Sequence, residues 1–79
     1  MKLEVMGVER WGLWRKEAST FPWKYDHQET CYILRGKFTV TPDGEQPQAF
    51  GRGDLITFPK GMSCTWDILE DVEKYYDFQ

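Results

Sequence analysis

Glycine, proline and Asp-Gly signals divide the chain into short runs, and this division constrains its fold more than any other feature. Residues 29–42, ETCYILRGKFTVTP, are rich in β-branched and aromatic residues, as strands are, and Gly36 predicts a bulge or bend within them. Asp43-Gly44 predicts a hairpin turn, and further strand candidates follow in QAF, DLITF, SCTWDIL and VEKYYDF, the last two separated by Glu70-Asp71. No ten residues carry a convincing helical period, and residues 8–17 come nearest but are interpreted as strand or loop. Turn signals every ~8–12 residues predict an all-β sandwich or barrel.

The size and charge of the chain limit what it can do. Its 79 residues predict a single domain over 1–79, close to the smallest size that one hydrophobic core supports. Such a small domain favours a homodimer, and we expect the KLEVM or GLW segment near the N-terminus to contribute to the interface. A net charge of −3 without a basic cluster argues against binding to nucleic acid or to an anionic membrane. The N-terminal sequence has no apolar core, so we expect no signal peptide and a cytoplasmic location.

The two cysteines, Cys31 and Cys64, are too few and too far apart for a disulfide scaffold or a CxxC zinc site. In the cytoplasm they should be reduced thiols. Free cysteine behaves as a small hydrophobic residue, so we expect both side chains to face inward.

Two glycine-bounded motifs resemble those of the cupins. Glu29 and Gly36 match the end of the motif G(X)5HXH(X)3,4E(X)6G. Gly53 and the Pro59–Gly61 turn match G(X)5PXG(X)2H(X)3N as far as its histidine, where Cys64 stands. From about residue 10 onward the chain is similar to small single-domain cupins related to the ethanolamine-utilisation cupin and to the cupin domains of ureidoglycine aminohydrolase. The resemblance implies a double-stranded β-helix, the RmlC-like jelly-roll barrel, and usually a dimer.

The metal ligands that the resemblance implies are mostly missing. Metal-binding cupins use three histidines and one glutamate, a set suited to iron, manganese, nickel or zinc. Of these ligands only Glu29 is present. The other motif positions hold Trp23 and Tyr25 (or Pro22 and Lys24 with the longer spacing), Cys64, and Ile68 in place of the final asparagine. We therefore predict no metal and no other cofactor.

His27 leaves an alternative metal site open. It is the only histidine and lies two residues before Glu29, so a strand extended to residue 27 would place both side chains on one face. His27, Glu29 and Cys64 would then offer nitrogen, oxygen and sulfur ligands to a divalent metal such as zinc. The other interpretation places His27 in a polar turn, YDHQ, exposed to solvent.

Strand alternation predicts a pocket inside the barrel. Glu29 and Cys31 share one face, Cys64 and Trp66 share another, and Tyr25 precedes the first pair, so these five residues are the predicted lining. A buried carboxylate needs a partner or a proton, so Glu29 should be hydrogen-bonded, protonated with a raised pKa, or paired with Lys24 or Arg35. Glu29 is therefore the first candidate functional residue. On this view Glu29→Gln should leave folding intact or improve it, because it removes a buried charge.

These features favour a metal-free module that binds an unknown small metabolite in the barrel. One alternative is a small isomerase or hydrolase, similar to the aminohydrolase, that uses Glu29 as acid and base, with or without a divalent metal. Another is a purely structural dimeric protein whose barrel is filled by side chains. The sequence itself selects no ligand.

Overall fold

The structure, a computed structural model, describes residues 10–78. Its strands are β1 (Gly12–Lys16), β2 (Ser19–Lys24), β3 (Glu29–Pro42), β4 (Gln48–Gly51), β5 (Leu55–Phe58) and β6 (Ser63–Phe78). No α-helix occurs between residues 10 and 78, which confirms the all-β prediction. In the same region no helix has the length and hydropathy of a membrane span. The GLW segment belongs to β1, whereas KLEVM lies outside the described residues.

The long antiparallel strands β3 and β6 form the frame of the barrel. The beginning of β6 pairs with β2 and its end pairs with β1. On its other edge β3 pairs first with β5 and then with β4. Each long strand therefore belongs to two four-stranded halves, β1–β6–β3–β5 and β2–β6–β3–β4. Two antiparallel layers connected in this way form a jelly roll.

A bulge at Gly36 reverses which residues of β3 face inward. The pairing of β3 with β6 shifts register on both sides of this residue, and its φ of +104° is one that side-chain-bearing residues rarely adopt. A Cβ atom here would also overlap the backbone of Asp71. The buried alternate positions are Glu29, Cys31 and Ile33 before the bulge, and Phe38 and Val40 after it. The predicted bend at Gly36 is confirmed.

β6 is one strand of 16 residues, so the prediction of two strands separated by Glu70-Asp71 was wrong. Neither acid interrupts the strand, because both remain exposed and their carboxylates find partners at the surface. Glu70 pairs with Lys37 at 3.4 Å, and Asp71 accepts a hydrogen bond of 2.9 Å from the backbone N–H of Ala18. The buried even-numbered positions of β6, which include Trp66 and Ile68 before the acidic pair, resume after it at Val72 and Lys74.

Trp66 connects the two halves of the barrel. Its ring stacks on Phe38, with centroids 4.5 Å apart and planes 6° apart. On the opposite half it contacts Trp14 edge-on at 5.8 Å and Phe58 at 5.9 Å. Aromatic pairs at such distances contribute about 0.5–1.5 kcal/mol beyond the burial of their area. The core is therefore held together largely by rings, and the cavity lies beside Trp66.

Candidate functional site

A cavity of about 160 Å³ lies between the two halves. It is lined by residues from β1, β2, β3 and β6 and from the loop after β2. Seven of them are aromatic and two carry charges: Trp14, Phe21, Trp23, Tyr25, Trp66, Tyr76 and Phe78, with Glu29 and Lys74. Trp23 and Phe78 are about half exposed, so they form the part of the wall that reaches solvent.

The two charged residues form a buried ion pair. Lys74 Nζ lies 2.6 Å from Glu29 Oε2, and the side chains are 6% and 5% exposed. The ammonium also lies over the rings of Trp14 and Trp66, 4.7 and 4.9 Å from their centroids. A desolvated cation on an indole face gains about 2 kcal/mol. Lys74 is thus held by one carboxylate and two rings, and Glu29 is held by the ammonium.

The predicted partners of Glu29 were wrong. Lys24 and Arg35 are exposed, and the cation beside Glu29 is Lys74, which sequence reasoning did not select. A signal for Lys74 was present, since it lies at an even number of positions from Trp66 and Val72 and so faces the same way. The interpretation of Glu70-Asp71 as a break between strands concealed that continuity.

Tyr25 forms another part of the wall. Its hydroxyl oxygen accepts a hydrogen bond of 3.2 Å from Trp66 Nε1, and its ring stacks on Phe58 at 4.9 Å. Burial, and secondarily the charge of Glu29, raise the pKa of the Tyr25 phenol well above its ordinary value. Tyr25 therefore stays neutral at physiological pH and presents a hydroxyl to its surroundings.

The two cysteines are buried free thiols, which confirms that they face inward. Neither is among the residues that line the cavity, although both were included in the predicted lining. Burial raises the pKa of Cys31 from 9.0 to about 12, with Lys74 opposing and Glu29 reinforcing the change. Burial also raises the pKa of Cys64, whose sulfur donates a hydrogen bond to the Trp23 carbonyl at 3.6 Å. Both groups are therefore unreactive thiols rather than thiolates.

The alternative metal site is not assembled. His27 is exposed and its ring lies 6.1 Å from that of Phe78, while Cys64 faces the backbone of Trp23 and Glu29 faces Lys74. Within residues 10–78 no group of three His, Cys, Asp or Glu side chains is placed to hold a metal ion. The residues at the cupin ligand positions therefore do not fit a metal. Beside Glu29, the one ligand of the metal-binding cupin motifs that the sequence retains, lies the ammonium of Lys74.

A sequence match to a known protein family agrees with this fold. Residues 3–76 match the family model described as the EutQ-like cupin domain. The chain belongs to the EutQ-like cupin family. Among proteins with curated descriptions, none matches the sequence.

Solved structures agree with this assignment. A DUF861 family protein from Thermotoga maritima superposes on this EutQ-like cupin with a TM-score of 0.97 and 49% identity, covering 99% of this chain and 89% of that one. The Clostridium difficile EutQ protein gives a TM-score of 0.74 at 25% identity, and the match covers 82% of this chain and 51% of that one. A putative ethanolamine utilization protein Q from Salmonella typhimurium gives a TM-score of 0.73 at 25% identity, and the match covers 82% of this chain and 52% of that one. The chain therefore spans about half the length of these two EutQ proteins.

Proposed function

We propose that this EutQ-like cupin binds a small organic metabolite, without a metal ion, in the cavity beside Trp66. The observation that carries the proposal is the cavity itself, which combines aromatic walls with one buried ion pair. Binding sites are typically concave and mostly apolar, with a few polar groups that fix the orientation of the ligand. The cavity of about 160 Å³ is similar in size to an engineered apolar cavity of about 150 Å³ that binds benzene. We therefore expect a ligand of about one ring.

The two charged residues of the cavity wall favour a ligand without net charge. Glu29 and Lys74 neutralise each other, so a ligand with a net charge would face one attractive and one repulsive group. An uncharged ligand avoids that repulsion, and it can hydrogen-bond to the pair or to the hydroxyl of Tyr25. The proposed ligand is therefore a neutral molecule with an apolar body and one or two polar atoms.

The test is a binding measurement with benzyl alcohol, benzoate and benzylamine, by ligand-observed NMR and thermal unfolding. We expect benzyl alcohol to bind most tightly, and a ligand at 100 times its Kd should stabilise the fold by about 2.7 kcal/mol. Trp23→Ala, at the exposed part of the wall, should weaken binding, whereas Leu69→Ala, which is similarly exposed but outside the cavity, should not. Binding of none of the three compounds, or equal effects of the two substitutions, would refute the proposal.

A second candidate function is catalysis by Glu29 as acid and base in an isomerase or hydrolase. It is favoured by the position of the carboxylate in the cavity wall, 2.6 Å from a second proton-carrying group, the Lys74 ammonium, and within reach of any molecule that binds there. Turnover of a bound ligand that disappears in Glu29→Gln, with binding retained, would distinguish an enzyme from a binding module.

We further infer that the protein acts in the cytoplasm as a homodimer. The two buried free thiols support the location, because thiols persist in a reducing compartment. Support for the dimer comes from the outer face of one half, where four apolar or aromatic residues on adjacent strands are in register. They are Leu13, Tyr75, Tyr32 and Leu55. The first and last are about half exposed, so a second copy could cover this row.

A further inference from the structure

Lys74 is a primary amine placed on the wall of a cavity. Its side chain is almost fully removed from bulk water, yet it lines the cavity, so a molecule bound there would lie beside it. An amine is a nucleophile only in its neutral form, and enzymes obtain that form by desolvating a lysine or by placing a base next to it. Lys74 has both the desolvation and an adjacent base, since Glu29 Oε2 lies 2.6 Å from its nitrogen.

Transfer of one proton along this hydrogen bond converts the ion pair into a neutral amine and a carboxylic acid. In water such a transfer is opposed by the hydration of both ions. Both side chains are already almost fully removed from water, and desolvation penalises the two charged groups while it leaves the neutral pair almost unaffected. Glu29 Oε2 lies close enough to take the proton that Lys74 gives up, so no other group is needed to carry it.

We propose that Lys74 forms an imine with a small neutral aldehyde or ketone bound in the cavity, a reaction that rests on the binding function proposed above. The nitrogen lone pair attacks the carbonyl carbon, and the carbonyl oxygen takes the proton held by Glu29. The Glu29 carboxylate then removes a proton from the nitrogen and returns it to the hydroxyl group, which leaves as water while the C=N bond forms. Ammonium plus carbonyl compound thus becomes iminium plus water, with the charge unchanged and no oxidation or reduction.

The walls select which carbonyl compound fits. The cavity wall is mostly aromatic, and the rings of Trp14 and Trp66 lie 4.7 and 4.9 Å from the amine nitrogen. An aldehyde with a flat apolar body stacks on such rings, whereas the carboxylate of an oxo acid would lose its hydration among them. Benzaldehyde has the size and polarity required, and pyruvate serves as the charged comparison.

The experiment traps the imine. The full chain is incubated with benzaldehyde and cyanoborohydride, and the benzyl groups added are located by peptide mass mapping among the six lysines of the chain. We expect benzylation at Lys74 to be at least about 100-fold faster than at Lys37, the low end of what general acid–base assistance provides. Lys37 is the internal control, because its side chain is 69% exposed and is not part of the cavity lining. Pyruvate should label Lys74 no faster than Lys37.

Substituted variants, together with benzyl alcohol as an analogue that cannot form an imine, distinguish failure of the imine proposal from failure of the binding proposal. Lys74→Met should abolish the fast adduct and Lys37→Met should preserve it, while Glu29→Gln should slow trapping without abolishing the binding of benzyl alcohol. Mapping on the unmodified chain decides the matter even if Lys74→Met fails to fold. Labelling of Lys74 at the rate of Lys37, with benzyl alcohol still bound in the cavity, would overturn the imine and leave the binding function standing. Absence of benzyl alcohol binding would overturn both.

Discussion

Replacing Glu29 by Gln removes one partner of an ion pair whose side chains are 5% and 6% exposed. Loss of one member of a buried pair costs about 3–5 kcal/mol, because the other charge stays buried without compensation. For Glu29→Gln we expect the lower end, about 3 kcal/mol, since the Lys74 ammonium keeps two ring contacts worth about 2 kcal/mol. For Lys74→Met we expect about 5 kcal/mol, because Glu29 then loses its cation. The structure thus reverses the sign expected from the sequence, where Glu29→Gln was predicted to be neutral or stabilising.

The double substitution Glu29→Gln with Lys74→Met should cost less than either single one, because no buried charge remains and methionine keeps the packing against the rings. Urea unfolding, followed by tryptophan fluorescence, measures the unfolding free energies of the unmodified chain, the two single variants and the double variant. The comparison holds if the dependence of the free energy on urea concentration is the same for all four. Glu73→Gln is the matched control: its pair with Arg15 has a similar distance of 2.7 Å but an arginine side chain that is 71% exposed, so it should cost no more than about 1 kcal/mol. Single effects that simply add in the double variant would refute the proposed coupling.

Three further predictions concern the fold and the assembly. Gly36→Ala should lower the unfolding free energy by at least about 3 kcal/mol and Gly44→Ala by about 1–2 kcal/mol, because both glycines have positive φ but only the Cβ added at residue 36 would meet backbone atoms. Equal losses for the two variants in urea titrations would contradict this. The free energy of unfolding should fall as pH rises from 9 towards 12, by up to about 4 kcal/mol from Cys31 alone, because the thiol ionises in the unfolded chain and keeps its proton in the folded one. Cys31→Ala should flatten this pH dependence, and an unchanged dependence of the unfolding free energy on pH would count against the prediction. Light scattering at micromolar concentration should give a dimer that Leu13→Asp dissociates and Leu69→Asp does not, and a monomeric unmodified chain would exclude the dimer.

Local signals in the sequence were sufficient for most of the fold. Gly36 predicted the bend in β3 because positive φ is open mainly to glycine, and the runs QAF and DLITF became β4 and β5 because turns bound them on both sides. The break at Glu70-Asp71 was predicted wrongly because charge suggests a loop, although a strand tolerates exposed acids wherever its outer face meets solvent.

The candidate site was predicted only in part, for a geometric reason. Alternation indicates whether a side chain faces inward but not how far along the barrel it lies. Glu29, Tyr25 and Trp66 line the cavity, whereas Cys31 and Cys64 face inward elsewhere in the core. The partner of Glu29 depends on the register between β3 and β6, which joins residues 45 positions apart and which no local pattern specifies.

Because β3 and β6 run through both halves, continuous strands rather than a flexible linker join the two halves within residues 10–78. We therefore expect a molecule that binds in the cavity to enter and leave past the half-exposed side chains of Trp23 and Phe78. Exposed side chains change rotamer in picoseconds to nanoseconds, whereas domains close in microseconds to milliseconds. Residence in the cavity is then governed by the strength of the contacts inside it, and the opening acts as a size filter rather than as a slow gate.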